Sequence, residues 1–323
     1  MIKSKNGALR SALLTAAALM ALQFSGASAL AQPPAAGPTA SSPLAQRIVS
    51  YDAAKVRPCA PCHRGAGSAM FFQLLGPASI DAPLAFVHRG YVSPKSSIGQ
   101  HFHNRAEEMF VIFDGEAQFT IDGRTTTIKG PVGVPDRMGH SHAIYNPTDK
   151  PVSWMNIQIP IGPGSSAFDL GDTRVGAALD PTPQFINARF DRALLQPVNG
   201  LRGGTGTAHY RRALDGAVFS TAWSYVDHIV LPPGASVGPQ NPGNLAEIYY
   251  VIGGSGSATV GSETATVKKD DIMPVNTTQT RTVVNNGNEP LELLVLGIAK
   301  DLAAKEAFLA IPRARPAPPP PRP

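Results

Sequence analysis

Two histidines spaced two residues apart, followed by a pair of glutamates, carry the clearest chemistry in this chain: Gly99-Gln100-His101-Phe102-His103-Asn104-Arg105-Ala106-Glu107-Glu108. On a strand, residues two apart share a face, so His101 and His103 aim both imidazoles at one interior point. Glu108 follows after a turn, on the next strand. About thirty residues further on, Gly139-His140-Ser141-His142, running on to Asn146, returns a further histidine. Three neutral nitrogens and one carboxylate make a cage suited to a divalent transition metal, with positions left for water or substrate. The competing reading is a set of merely polar core histidines. Against it, four of the eight histidines in the chain fall in these two short segments.

A second segment, Cys59-Ala60-Pro61-Cys62-His63, uses both cysteines of the chain. In an exported protein C-x-x-C-H is the attachment signature of c-type haem: two thiols form thioethers and the histidine becomes an axial iron ligand. That resemblance makes Cys59, Cys62 and His63 haem-binding residues, with Met70 or His88 as a sixth ligand. The alternative is a Cys59–Cys62 disulfide in an oxidising compartment, with His63 incidental. The segment before the first barrel is also smaller than a cytochrome domain. Both readings stay open on sequence, and the colour of the protein separates them.

The elements that must position these residues follow from a repeat. The chain has 323 residues, 43% hydrophobic and 16% charged, with 31 Gly and 31 Pro. Turn formers at that density interrupt long helices and argue for a β-rich chain. At a constant offset of 139, Glu108 falls on Glu247, Gly115 on Gly254, Thr120 on Thr259, Lys129 on Lys268, Pro135 on Pro274 and Asn146 on Asn285, without a gap over about fifty residues. Each copy reads as short strands between turns, and such spacing indicates a sandwich or barrel, here twice. Between the copies, Pro181 to Pro197 has helical spacing at Phe185, Phe190 and Leu194-Leu195. Leu302 to Leu309 reads as a closing helix.

His101, His103, Glu108 and Gly115 resemble the first conserved motif of the cupin superfamily, G-x5-H-x-H-x3-4-E-x6-G, with the leading glycine at Gly99 closer than usual. Gly139, His142 and Asn146 resemble the second, P-x-G-x2-H-x3-N, with Pro135 two places early. Glu107 is an alternative to Glu108, but the x6-G spacing and the repeat partner Glu247 favour Glu108. The resemblance implies an all-β fold of two tandem cupin jelly-roll barrels with short helical linkers. It also implies a metal held by His101, His103, Glu108 and His142.

The expected organisation is a signal peptide over 1–31 and a CxxCH segment over 32–82. The metal-bearing barrel then covers 83–161, a linker and helix 162–222, a second barrel 223–300, and a closing helix with a Pro-rich tail 301–323. In the second copy His101, His103 and His142 become Gln240, Pro242 and Arg281; proline offers no side-chain ligand and arginine repels a cation, so this barrel is expected to hold no metal.

The net charge of +5 comes from the ends: Lys3, Lys5, Arg10, Arg313, Arg315 and Arg322 are six cations without neighbouring acids, and the body between them is left at −1. No basic field remains to attract a phosphate backbone, which excludes nucleic acid as a partner. Residues 1–31 run basic, apolar, then small, the order of a secretory signal peptide, which predicts a periplasmic product with no membrane attachment after cleavage. By resemblance the function is that of an exported metal-dependent oxidoreductase, an oxygenase of the quercetinase-like kind acting on a small phenolic or acidic molecule, with Arg105, Gln118 and His140 as further pocket groups. A non-catalytic binding or storage role, or decarboxylase or isomerase chemistry, are the alternatives, and a homo-oligomer is compatible with all of them. Outside the cytoplasm the stability order of divalent ions favours copper; iron suits the same ligands and manganese follows.

Overall fold

The computed structural model describes residues 38–162 and 167–311. The expected leader over 1–31 and the Pro-rich end over 312–323 lie outside the described residues. Among the described residues there are two α-helices, Leu44–Arg47 and Leu302–Leu309, and the rest of the regular structure is strand and short 3₁₀ turns. None of these helices is long and apolar enough to cross a membrane.

The strands form four sheets with antiparallel pairing, two for each barrel. In the first barrel a seven-stranded sheet contains Ala69–Leu75, Phe86–Val92, Ala106–Ile112, Val132–Asp136 and Val152–Pro160, edged by Arg57–Cys59 and Ala188–Arg189. Opposite it lies a five-stranded sheet of Ser97–His103, Glu116–Ile121, Arg124–Lys129, His142–Tyr145 and Ala167–Asp169. Alternation along the strands decides what each face meets. On the inner face Phe110, Ile112, Val134 and Trp154 meet Ile98, Ala117, Phe119 and Ile144 of the other sheet. On the outer face Val87, Met109, Val111, Met155 and Ile157, none more than 1% exposed, share one apolar cluster with Ile248, Tyr250, Leu294 and Leu296 of the second barrel.

The repeat reaches further than the sequence alone discloses. Val49 pairs with Ile272 and Ala188 pairs with Gly133, and both members of the second pair lie 139 positions from their counterparts in the first. Each half therefore sends its first strand to the edge of the other half's sheet, a reciprocal exchange of the kind that relates the subunits of a two-fold dimer.

Polar contacts fasten the same junction. Buried Arg89 donates to the Tyr250 hydroxyl at 2.9 Å and to Ser153 Oγ at 2.8 Å. Its guanidinium lies 4.9 and 4.6 Å from the ring centres of Tyr51 and Phe113. Glu107 faces the junction rather than the barrel interior: its carboxylate accepts from the Ser220 and Thr221 amides and the Thr221 hydroxyl.

The helix expected over Pro181 to Pro197 is not formed. Strands Ala188–Arg189 and Gln196–Asn199 flank a single 3₁₀ turn, Arg192–Leu194. The apolar spacing there has another cause: an extended segment buries Phe190 against His228, 5.9 Å between ring centres, while Pro181, Pro183 and Pro197 remove donors that a helix needs. Helix Leu302–Leu309 is present, capped by Asp301 through the Ala304 amide.

Candidate metal centre

Three imidazoles come from one sheet and the carboxylate from the sheet facing it. His101 and His103 lie two apart on Ser97–His103, and His142 is the direct cross-strand neighbour of His101. Glu108 reaches across from Ala106–Ile112. One ligand atom from each of the four lies within 4.8 Å of the others, and all four residues are buried. His103 Nε2 and His142 Nε2 each stand 3.4 Å from a Glu108 oxygen.

Hydrogen bonds orient the set and leave its inner atoms without partners. His101 Nδ1 meets the Gly99 carbonyl at 2.8 Å, which turns Nε2 away from it. Gln158 donates to Glu108 Oε1 at 2.7 Å. Among the described residues, Glu108 Oε2, His142 Nε2 and both nitrogens of His103 make no hydrogen bond although buried. Three of these atoms, His103 Nε2, His142 Nε2 and Glu108 Oε2, gather at one place, and leaving them orphaned would cost several kcal/mol in a dry interior. A divalent cation satisfies those three together, so the donor set fits a metal.

Electrostatics point the same way. Burial alone would raise the Glu108 carboxyl, but His103 and His142 outweigh it and hold the group well below the usual carboxylate range. Burial, then the neighbouring His142 and His63, pushes His101 well down, and burial lowers His142; both are neutral and ready to donate a lone pair. Burial works against a charged His103, yet Glu108 overrides it and raises that residue. Below the tetrad the inner face is aromatic. His88 is stacked between Phe86 and Phe71, at 3.9 and 4.5 Å, and burial brings it down to about 4 against the pull of Glu108. Asp136, directly across from Glu108, is pushed well up by burial and by that neighbouring charge.

Of the further pocket residues expected from sequence, none joins the centre. Arg105 is exposed. Gln118 pairs with Tyr145, out of phase with the inward Ile121 and Phe119 that accompany His142 and Ile144, so it faces outward. His140 is 43% exposed and paired with Asp122 at 2.6 Å.

The haem reading of Cys59, Cys62 and His63 is corrected. The two sulfurs are bonded to each other, so neither is free for a thioether. His63 instead lies on the metal centre: its ring stacks on His101 with 3.7 Å between centres and 4° between planes. Its Nδ1 meets Asp169 at 2.7 Å, and Asp169 is the strand neighbour of His101. The unusual place of the leading glycine has its reason here, since a Cβ on Gly99 would fall 2.1 Å from the His63 carbonyl oxygen.

In the second barrel the corresponding space is taken by arginine. Glu247 is fully buried and accepts from Arg281 Nε at 2.7 Å, Arg202 Nη1 at 3.1 Å, and the hydroxyls of Tyr225 and Tyr249. Arg202 also pairs with buried Asp227, which Arg212 holds at 2.8 Å. Arg281 is the counterpart of His142. Arg202, not singled out from sequence, is the counterpart of His63 at the same offset of 139, and both take a left-handed backbone, φ 55° and 47°. Applying that offset to the CxxCH segment was the available signal.

The fold and site together define the class. Residues 89–158 and 227–297 match the Cupin domain family model, one stretch in each barrel, and the fold is a bicupin of two tandem jelly-roll barrels. Among curated proteins, an oxalate-binding protein of Thermotoga maritima is 26% identical over 99 residues, 31% of this chain and 82% of that protein. Among solved structures, the salicylate 1,2-dioxygenase of Pseudaminobacter salicylatoxidans superposes with a TM-score of 0.56 at 15% identity, covering 74% of this chain and 78% of the other. The oxalate decarboxylase of Bacillus subtilis gives 0.53 at 17% identity, covering 78% and 76%. At these identities the structural likeness is one of fold.

Proposed function

We propose that the first barrel is a metal-dependent oxidoreductase centre of the oxygenase type, acting on a small organic acid or phenol, in an exported protein. The observation that carries this reading is the convergence of four ligand atoms within 4.8 Å, with His103, His142 and Glu108 atoms left unbonded. A bound ion would supply a Lewis acid for an anionic or phenolic oxygen and a route for electrons to dioxygen. The chain's own part is to hold His101 and His142 neutral, to keep Glu108 ionised and oriented through Gln158, and to line the interior with Phe71, Phe86 and Trp154, which exclude water and favour a flat molecule. Salicylate and oxalate, named for the relatives, are both small carboxylic acids, which supports that substrate class. Copper and iron suit the ligands, and the Mn(II) centres of the Bacillus subtilis oxalate decarboxylase keep manganese beside them. The order of residues in 1–31 and the disulfide support export to an oxidising compartment.

The oxalate-binding relative favours a second reading, in which the same centre binds or decarboxylates a dicarboxylate. One experiment separates them. Protein loaded in turn with copper, iron and manganese is given salicylate and oxalate, and dioxygen uptake and carbon dioxide release are followed. Uptake in step with substrate loss supports the oxygenase. Carbon dioxide release without net uptake, or binding without turnover, supports the second reading and overturns the first.

A further inference from the structure

The segment Cys59–Gly65 is the part of the centre that the metal ligands do not explain. The disulfide closes one residue before His63. His63 and Arg64 both take left-handed backbone, φ 47° and 55°, which costs non-glycine residues about 1 kcal/mol or more and persists only where the surroundings enforce it. Those surroundings are specific. The turn lies so close to strand Ser97–His103 that Gly65 could not carry a Cβ beside the Ser97 carbonyl, nor Gly99 one beside that of His63. The Ala66 amide donates to Ser97 Oγ at 2.8 Å. Asp169 holds the ring of His63 parallel to that of His101 and stacked on its face.

The second barrel shows what this position is for. There the counterpart turn delivers Arg202 to the central carboxylate, and the turn carries Val198 and Leu201 where the first has Cys59 and Cys62. Arg202 is anchored by two carboxylates, Glu247 and Asp227. His63 has one side-chain hydrogen bond, to Asp169 on an exposed three-residue strand, and the covalent clasp stands in for the second carboxylate.

We propose that His63 is a positioning residue of the metal centre, pinned on His101 by the Cys59–Cys62 disulfide, so that the redox state of that disulfide sets how fast the ion exchanges. The inference rests on the reading of the tetrad as a metal site. Closed, the clasp keeps one face of the His101 ring covered. Opened, the turn relaxes from its left-handed conformation and uncovers that ring. The opening step is a two-electron reduction: with a water-soluble phosphine, phosphorus takes an oxygen from water to give the phosphine oxide, and the two hydrogens of that water go to the two thiols.

Co(II) loaded into the intact protein serves as the probe, read by its visible ligand-field bands and by its rate of release to a competing chelator. Supporting atoms around a metal ligand are commonly worth 10- to 100-fold in metal affinity, so phosphine reduction is expected to speed release by about tenfold or more. His63→Ala speeds it likewise and removes the response to phosphine. His63→Phe, which keeps a ring over His101, restores slow release and wild-type bands. The double variant Cys59→Ser/Cys62→Ser releases fast with or without phosphine. An unchanged release rate in reduced wild-type protein bearing two titratable thiols overturns the proposal, as does a His63→Ala variant that holds Co(II) like wild type. Acceleration by phosphine in the cysteine-free variant also overturns it, because the reductant is then acting elsewhere. Protein that takes up no Co(II) under any condition overturns the metal reading itself, and this inference with it.

Discussion

Glu108 is the one ligand drawn from the seven-stranded sheet, and it alone offsets the charge of the ion. Replacing it by glutamine keeps the shape and the contact with Gln158 but removes the anion, and metal content after dialysis, measured by plasma mass spectrometry, is expected to fall below about a tenth of wild type. Proton competition follows from His103. Its raised value means that the metal-free protein keeps a proton there to higher pH than a free imidazole does. An incoming cation must displace it, so apparent affinity falls as pH drops below that value, by up to tenfold per pH unit, and levels off above it. Titrations across about pH 5.5 to 8.5 test the sign; affinity that is flat or rises toward acid contradicts it. The ligands were legible in the sequence because all four fall in two short motifs, with strand periodicity putting His101 and His103 on one face. His63 was visible as a residue and misassigned in role, since a stack on His101 depends on a left-handed turn that no local spacing announces. Arg202 is legible only by carrying the offset of 139 on from His63, and Asp227 and Tyr225 are not legible, because each meets Glu247 or its partners only through tertiary packing.

Among the elements, the turns held by Asn146 and Asn285 correspond between the two halves. Asn146 donates to the carbonyls of Val92, Ser93 and Lys150, and Asn285 to those of Leu231 and Glu289. The motif asparagine is therefore a lock on the loop that joins two strands, equally present in the barrel without the histidines. Asn146→Ala and Asn285→Ala are each expected to cost about 1–3 kcal/mol by leaving buried carbonyls unsatisfied. Urea unfolding reads the loss, and Asn285→Ala should retain full metal content. Strand–turn alternation and the register of these asparagines could be read from the repeat. The linker could not, because Phe185, Phe190 and Leu195 mimic a helical stripe while an extended chain lays them across the barrels. The strands Val49–Ser50 and Ala188–Arg189 are too short to carry a period at all.

At the scale of the molecule, the second barrel carries stability that does not depend on metal. Glu247→Ala leaves Arg281 buried without a carboxylate and Arg202 with Asp227 alone, at an expected cost of about 3–5 kcal/mol. The pH dependence follows from the same group. Burial alone would raise Glu247, but the two arginines prevail and lower it. A carboxylate lowered by folding contributes fully above the unfolded-state value, about 4.3, and loses that contribution as pH falls through the folded one. In metal-free protein the Glu247 share of stability should therefore be kept to about pH 5 and lost below it, beneath the loss that the lowered His88, His101 and His142 begin nearer pH 6.5. Glu247→Ala should flatten the lower part of the decline. Because Met109, Val111, Met155 and Ile157 are buried in the cluster shared with the second barrel, both halves should unfold in one calorimetric transition. Two resolved transitions would show the junction to be weaker than its packing indicates.

The crossing of Val49–Ser50 and Ala188–Arg189 into opposite sheets gives this chain the interior of a homodimer without its constraint. In a true pair of identical subunits every substitution appears twice, so neither active centre can change alone. Joined end to end, the halves cannot be diluted apart, and each position varies by itself. That independence is what lets one copy keep a set of metal donors while its twin fills the same place with arginines that never leave.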